Sequence, residues 1–331
     1  MTKIAIIGSG IAGLFSALKL ANSGYEVTII TKQRIKDSST NWAQGGIAGI
    51  LDKTNTSGKE AHIEDTLKSG DTLCDETVVR EVIDRAADCI SELVSIGVNF
   101  EKNSHGEFKL AKEGGHSERR ILHAKDATGR EIERALSDAA KQHPNIKLMK
   151  NTLAIDLIQR HHGNPTMGVC GVWCLDQQSK EVITLGADAI IIATGGVGQL
   201  WAKTTNPSVA TGDGIAMAYR CGASVKDMTY IQFHPTSLAL ENGRPFLITE
   251  ALRGEGGVIL DERGLKRWEE SCQQSLTNGT DVPKPEDFSF TLEFSELGSM
   301  ATRDIVARAI DQNLKQNGTK WVYLVTSHLN K

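Results

Sequence analysis

The stretch Ile4-Ala5-Ile6-Ile7-Gly8-Ser9-Gly10-Ile11-Ala12-Gly13 decides the fold. Its apolar run reads as a buried strand, and the pattern Gly8-x-Gly10-x-x-Gly13 opens a segment reaching Ala21 with apolar residues at helical spacing. Residues 25–31 return to strand composition. Strand, glycine turn, helix and strand make a βαβ unit with parallel strands. In such a unit the turn brings backbone close to a pyrophosphate held at the positive helix N-terminus. Gly8, Ser9, Gly10, Ile11, Ala12 and Gly13 are therefore candidate cofactor contacts, the alternative being a tight strand-helix turn that binds nothing.

Around this unit lie 331 residues, 40% of them hydrophobic, enough to bury one large core or two ordinary ones. With 37 basic against 41 acidic residues the formal charge is -4, so no global field favours nucleic acid or an anionic membrane, and neither is expected as a partner. Cys74, Cys89, Cys170, Cys174, Cys221 and Cys272 lack the short paired spacings of a zinc site or disulfide framework, so no metal and a reducing, cytoplasmic compartment are expected. The first strand follows Met1-Thr2-Lys3 directly, leaving no room for a leader, and no stretch is long and apolar enough to span a bilayer.

Residues 60–97 and 126–142 are charged and periodic, which predicts surface helices. An apolar strand is expected over 184–194, a helix over 214–221 and a second domain from residue 234. Residues 268–289 are polar, contain Pro283 and Pro285, show no period and read as an exposed loop insertion without chemistry.

The acidic residue that usually follows the second strand of a dinucleotide unit is replaced by Thr31-Lys32. Lys32 cannot accept a ribose hydroxyl proton but can pair with phosphate, which argues against NAD. Next comes the small-polar run Ser38-Ser39-Thr40-Asn41-Trp42-Ala43-Gln44-Gly45-Gly46, for which a simple dehydrogenase has no use. Together with Ala193-Thr194-Gly195-Gly196, Thr205-Asn206-Pro207 and Gly212-Asp213-Gly214, it resembles the succinate dehydrogenase/fumarate reductase flavoprotein superfamily. The resemblance implies FAD as cofactor and Ser39, Thr40, Ala43, Gln44, Gly45, Gly46, Thr194 and Gly195 as its contacts, with Lys32 beside them. Relatives that attach FAD covalently carry histidine where Ser39 stands, so a non-covalent flavin is implied. Asp213 is either a ribose or pyrophosphate-side contact or a helix N-cap acid.

The second half carries the superfamily's substrate blocks. His234-Pro235-Thr236 resembles its substrate-binding histidine, and 247–257 (Leu-Ile-Thr-Glu-Ala-Leu-Arg-Gly-Glu-Gly-Gly) resembles the next block. The resemblance makes His234 and Thr249 carboxylate ligands, Glu250 and Arg253 a proton relay, and Arg303 the proton donor or acceptor. Alternatively His234 is structural and Arg303 a surface arginine paired with Asp304 or Glu296. Within the superfamily, residues 113–123 (Glu-Gly-Gly-His-Ser-Glu-Arg-Arg-Ile-Leu-His) and 126–131 are similar to the L-aspartate oxidase family. There Glu113 would face the substrate's ammonium group, unless it is an exposed loop acid; His116 and His123 are weaker candidates.

The fold implied is α/β, a Rossmann-like two-dinucleotide-binding FAD domain over 1–233 with an α+β capping domain over 234–331. The FAD domain is expected to be incomplete, because the family's final FAD segment and helical domain find no match before Lys331. The implied activity is oxidation of L-aspartate to iminoaspartate with dioxygen or fumarate as acceptor, in NAD biosynthesis, with quinolinate synthase as a candidate partner. A soluble fumarate reductase or succinate dehydrogenase flavoprotein subunit, and an inactive flavin- or partner-binding fragment, are the alternatives.

Overall fold

In the computed structural model, which describes residues 1–125, 127–240 and 245–329, the opening motif folds as strand β1 (Lys3–Ile7), helix α1 (Ile11–Asn22) and strand β2 (Glu26–Ile30). β1 pairs in parallel with β2 on one side, Ile6 opposite Ile29, and with strand Ala189–Ile192 on the other, Ile6 opposite Ile191. Strand Ile146–Met149 adds to β2, giving four parallel strands. Helix α1 forms because Leu14, Ala17, Leu18 and Ala21 recur at helical spacing and are buried, and it stops where Gly24 turns the chain at φ +87°. Helix Thr128–Gln142 packs beside α1 on the same face.

An antiparallel meander, Thr152–Gln159, Val169–Asp176 and Val182–Gly186, covers the other face. Ala5, Ile7 and Ile30 of the parallel sheet meet Ala154, Val172 and Cys174 of the meander, with Met217 of helix Asp213–Arg220, in one buried cluster. These elements belong to one compact unit, made of residues 1–46, 89–107 and 123–229.

The other unit takes residues 47–88, 108–122 and 230–331. Its centre is the antiparallel pair Val258–Leu260 and Tyr323–Val325, one face packed on Ala301, Val306 and Ala309, the other on Trp268 of helix Glu262–Asn278. Asp261 caps that helix by accepting from Gly264 N at 2.7 Å, and Gly279, at φ +66°, ends it. Helix Arg303–Asn317 ends the same way at Gly318. Both compact units are discontinuous in sequence, whereas the expected division ran in two continuous segments, 1–233 and 234–331.

Three expectations are corrected. Residues 268–278 are not loop: they continue helix Glu262–Asn278, with Trp268 buried and its Nε1 donating to Pro283 O at 3.0 Å. The period exists as Leu265, Trp268 and Cys272, but a window opening at Trp268 cuts off its first member. The single strand over 184–194 is two, Val182–Gly186 and Ala189–Ile192, lying in different sheets. The chain changes sheet at Asp188, whose Oδ2 accepts from Lys3 N at 2.8 Å. The segment 60–97 is two helices, Thr56–Ser69 and Glu76–Ile96, while Asp126 of the segment 126–142 lies outside the described residues.

Candidate functional site

A cavity of about 690 Å³ opens at the carboxyl ends of β1, β2 and strand Ala189–Ile192, where open parallel sheets bind ligands. Eleven of the cofactor residues named from sequence line it: Gly8, Ser9, Gly10, Ile11, Ala12, Lys32, Ser39, Thr40, Thr194, Gly195 and Asp213. Gly8 sits at φ +117°, and a Cβ there would stand 2.1 Å from Ala193 O, so only glycine lets the two nucleotide turns approach. Gly13 does not line the cavity; a Cβ on it would meet Gly8 O at 2.1 Å, so its role is to seat α1 against the turn. Ala43, Gln44, Gly45 and Gly46 lie outside the lining as well.

The small-polar run binds the start of α1. Ser38 caps the short helix Ser39–Trp42 by accepting from Asn41 N at 3.2 Å, and Thr40 Oγ1 accepts from Ile11 N at 3.0 Å. The next amides, those of Ala12 and Gly13, have no carbonyl behind them within the helix and remain for an anion. Ser9 Oγ lies 3.0 Å from Thr31 Oγ1 and from Ile35 O, so this hydroxyl holds the end of β2. Lys32 and Asp213 bond to each other at 2.5 Å, and Thr211 Oγ1 bonds to both. Burial pulls the Asp213 carboxyl up, but its bonds from Lys32 and Thr211 prevail and its pKa lies below the usual value. The N-cap of its helix is Gly212, so Asp213 stands in the first turn and is not the capping acid.

In the other unit, four of the substrate-end residues converge. Glu250, 6% exposed, accepts from Arg253 Nη2 at 3.0 Å on one oxygen and from Arg303 Nε at 2.5 Å on the other. Arg253, 1% exposed, also donates from Nη1 to Ser299 O at 2.7 Å. Its burial lowers the pKa of this guanidinium despite Glu250. Arg303 opens helix Arg303–Asn317 with its side chain 38% exposed, paired with Glu250 and not with Asp304 or Glu296. His234 is near enough for the Arg303 charge to act on it; burial first, then that charge, hold its imidazole below the ordinary pKa. Its Nδ1 lies 3.0 Å from Thr236 O and 3.3 Å from Thr236 N. A proton on Nδ1 suits the first contact; a lone pair suits the second and leaves Nε2–H to donate to a carboxylate. Thr249 precedes Glu250, its Oγ1 accepting from Ala251 N at 3.4 Å.

Glu113 is buried, not an exposed loop acid, and its turn packs on the relay: a Cβ on Gly114 would stand 2.5 Å from Glu250 Oε1. His116 closes the turn, its N donating to Glu113 O at 3.2 Å. Behind it Arg120, fully buried, donates to Asp65 Oδ2 at 2.6 Å and contacts His116 Nδ1 at 3.2 Å. Because a guanidinium only donates, that contact places the lone pair on Nδ1 and the proton of the neutral ring on Nε2. Burial and then Arg120 lower the His116 pKa in agreement.

Sequence reading missed two parts of this arrangement. Thr152, Leu153 and Ala154 line the cavity from the meander, and no local motif marks them. Glu133, buried in helix Thr128–Gln142, accepts from Ser38 Oγ at 2.6 Å. Its signal was an acid adjoining the apolar face of Ile132, Leu136 and Ala140.

Comparison with known proteins agrees with this geometry. Residues 3–331 match the family described as FAD binding domain. The chain is 42% identical, over 98% of its length and 47% of the relative's, to L-aspartate oxidase 2-b of Nicotiana tabacum. It is 41% identical to L-aspartate oxidase 1 of Ralstonia nicotianae, over 98% and 57% of the two chains. It thus spans about half the length of the curated relatives it matches. An E. coli quinol fumarate reductase superposes with a TM-score of 0.82 at 27% identity, covering 100% of this chain and 55% of that one. The fold is therefore that of the succinate dehydrogenase/fumarate reductase flavoproteins. A positive-φ glycine turn and open helix amides at the cavity both fit the dinucleotide.

Proposed function

We propose that this chain, which belongs to the FAD-binding-domain family and takes FAD as its cofactor, is the cofactor- and relay-bearing part of an L-aspartate oxidase. The single observation that carries the reading is the turn bearing Glu113 packed directly on the Glu250 carboxylate, which itself joins Arg253 and Arg303. An amino dicarboxylate needs cations or donors for its carboxylates, an acid for its ammonium and an outlet for protons; these residues supply all three. The similarity to the oxidases of Nicotiana and Ralstonia supports it.

The cofactor contacts proposed are the cavity-lining residues together with Ala43, Gln44, Gly45 and Gly46, and with Ser39 at the attachment position the flavin is held non-covalently. FAD, when bound, would supply the acceptor for two electrons and the Cα hydrogen of L-aspartate as the Cα–N bond becomes the imine. His234 and Thr249 hold a carboxylate, and Glu113 pairs with the ammonium. The nitrogen's protons leave through Arg303, Glu250 and Arg253, whose contacts run from a half-exposed guanidinium to a buried one. The burial that lowers the Arg253 pKa eases its part in passing a proton. Dioxygen or fumarate takes the electrons, and the product enters NAD biosynthesis in the cytoplasm, where a quinolinate synthase would receive the unstable imine.

A fumarate reductase or succinate dehydrogenase flavoprotein subunit is the second reading, favoured by the TM-score of 0.82. Anaerobic titration of the FAD-loaded chain with L-aspartate and with succinate separates them. The proposal requires bleaching by aspartate alone, and loss of that preference in Glu113→Gln. Bleaching by succinate supports the second reading; no bleaching leaves a flavin-binding fragment.

A further inference from the structure

Helix Thr128–Gln142 is the platform on which the small-polar run rests. Gly129 N donates to Ala43 O at 3.1 Å, and a Cβ on Gly129 would stand 1.9 Å from Thr40 O, so the helix start touches the loop backbone directly. One turn on, Glu133 is 2% exposed and receives Ser38 Oγ at 2.6 Å, with the Asn41 amide bonding to the same carboxyl. Ser38 caps the helix that carries Thr40, and Thr40 receives Ile11 N. Glu133 is thus connected through one loop to the first turn of the dinucleotide helix.

Among the described residues no cation pairs with this carboxyl, and the charged group whose field raises its pKa, Asp37, has the same sign. Arg34 is bonded to Asp37, and Arg134, on the same helix as Glu133, to Glu131 and Gly97 O. The second oxygen, Oε1, is buried without a hydrogen-bond partner, which a neutral acid tolerates far better than a carboxylate.

We propose that Glu133 is a positioning residue for the cofactor, a neutral carboxylic acid that clamps residues 38–42 against the start of α1 and loosens that clamp when it ionises. The inference rests on the reading that this loop contacts FAD. Burial pushes the Glu133 pKa up to about 7, against the bonds from Ser38 and Asn41 that favour the anion. In an opened loop the group returns to its ordinary value of 4.5, so opening gains on closure as pH rises from 4.5 to about 7 and levels off above it. FAD, bound by the closed loop, is then held less tightly at pH 8 than at pH 6.

The test measures FAD dissociation constants by flavin fluorescence between pH 6 and 8 for the wild type, Glu133→Gln and Glu133→Ala, with amide exchange at Ile11 and Asn41 in the flavin-free chain. The wild-type constant rises by up to about tenfold across this range, most of it below pH 7. Glu133→Gln, permanently neutral, keeps the pH 6 value throughout, and Glu133→Ala is weak at every pH. Exchange at Ile11 and Asn41 accelerates beyond its intrinsic pH dependence in the wild type alone. A Glu133→Gln profile parallel to the wild type in both measurements overturns the proposal. Absence of FAD binding at any pH refutes the cofactor reading instead, and the exchange comparison then decides on the clamp.

Discussion

Replacing Glu250 by glutamine tests the buried relay most sharply. The carboxylate is 6% exposed and serves two guanidiniums of unequal burial, Arg253 at 1% and Arg303 at 38%. Removing its charge strands the buried cation, whose remaining bonds run to Ser299 O and Ala301 O and whose Nε has no partner. Stranding one member of a buried pair costs about 3–5 kcal/mol, while a half-exposed pair contributes about 0–1 kcal/mol. Glu250→Gln should therefore lose about 3 kcal/mol, Arg253→Met a similar amount and Arg303→Met about 1 kcal/mol or less. For a unit of this size, 3 kcal/mol corresponds to a fall of about 6–12 °C in Tm. Because Arg253→Met removes the cation that Glu250→Gln would strand, the double variant should cost about 2 kcal/mol less than the sum of the singles. Thermal and urea unfolding of the four proteins measures this cycle. Additive singles, or an Arg303→Met loss equal to that of Arg253→Met, would refute the assignment of the buried pair as the structural half of the relay.

Gly8→Ala should cost about 3 kcal/mol or more, since its Cβ collides with Ala193 O, whereas Gly24→Ala, also at positive φ but in open space, should cost about 1 kcal/mol; comparative unfolding of the two checks this. His62 is buried beside Arg120 and His116, and burial, then Arg120, then His116, lower its pKa to about 4, with Asp65 opposing them. Its folded pKa lies below the unfolded value of 6.5, so the neutral ring's contribution is intact above pH 6.5 and is lost as pH falls toward 4. His62→Phe should flatten stability over that window by up to about 3 kcal/mol, read from unfolding at stepped pH. Asp261→Ala should cost about 1–2 kcal/mol, because it removes the N-cap of helix Glu262–Asn278 and leaves Asn313 Nδ2 without its acceptor; urea unfolding measures it.

The parts of this protein legible in sequence are those where one local pattern has one physical solution. Gly8, Gly10 and Gly13 could only serve a close strand-helix turn, and both parallel neighbours of β1 were apolar enough to name as strands. The Glu250, Arg253 and Arg303 trio was named as a set from resemblance, and the structure joins it by two carboxylate bonds. What sequence concealed depends on pairing between distant segments. The switch of sheets at Asp188 follows from a bond to Lys3 N, which no window around 184–194 contains. The helix through Trp268 hides its period behind a polar composition until Leu265 is counted. Glu133 looked like one more charge on a surface helix, because its partner Ser38 lies 95 positions away. Lys32 and Asp213 were each assigned to the cofactor separately, yet bond to one another across the cavity rim.

The central proposal is that the Glu113 turn and the Glu250 relay act on an amino dicarboxylate whose oxidation reduces the flavin. The most direct test mixes the FAD-loaded chain with one equivalent of L-aspartate in the absence of oxygen, and quantifies reduced flavin together with the oxaloacetate and ammonia formed when iminoaspartate hydrolyses. The account predicts equal amounts of all three and none with succinate. Flavin that stays oxidised with aspartate, or that succinate reduces equally well, would contradict it.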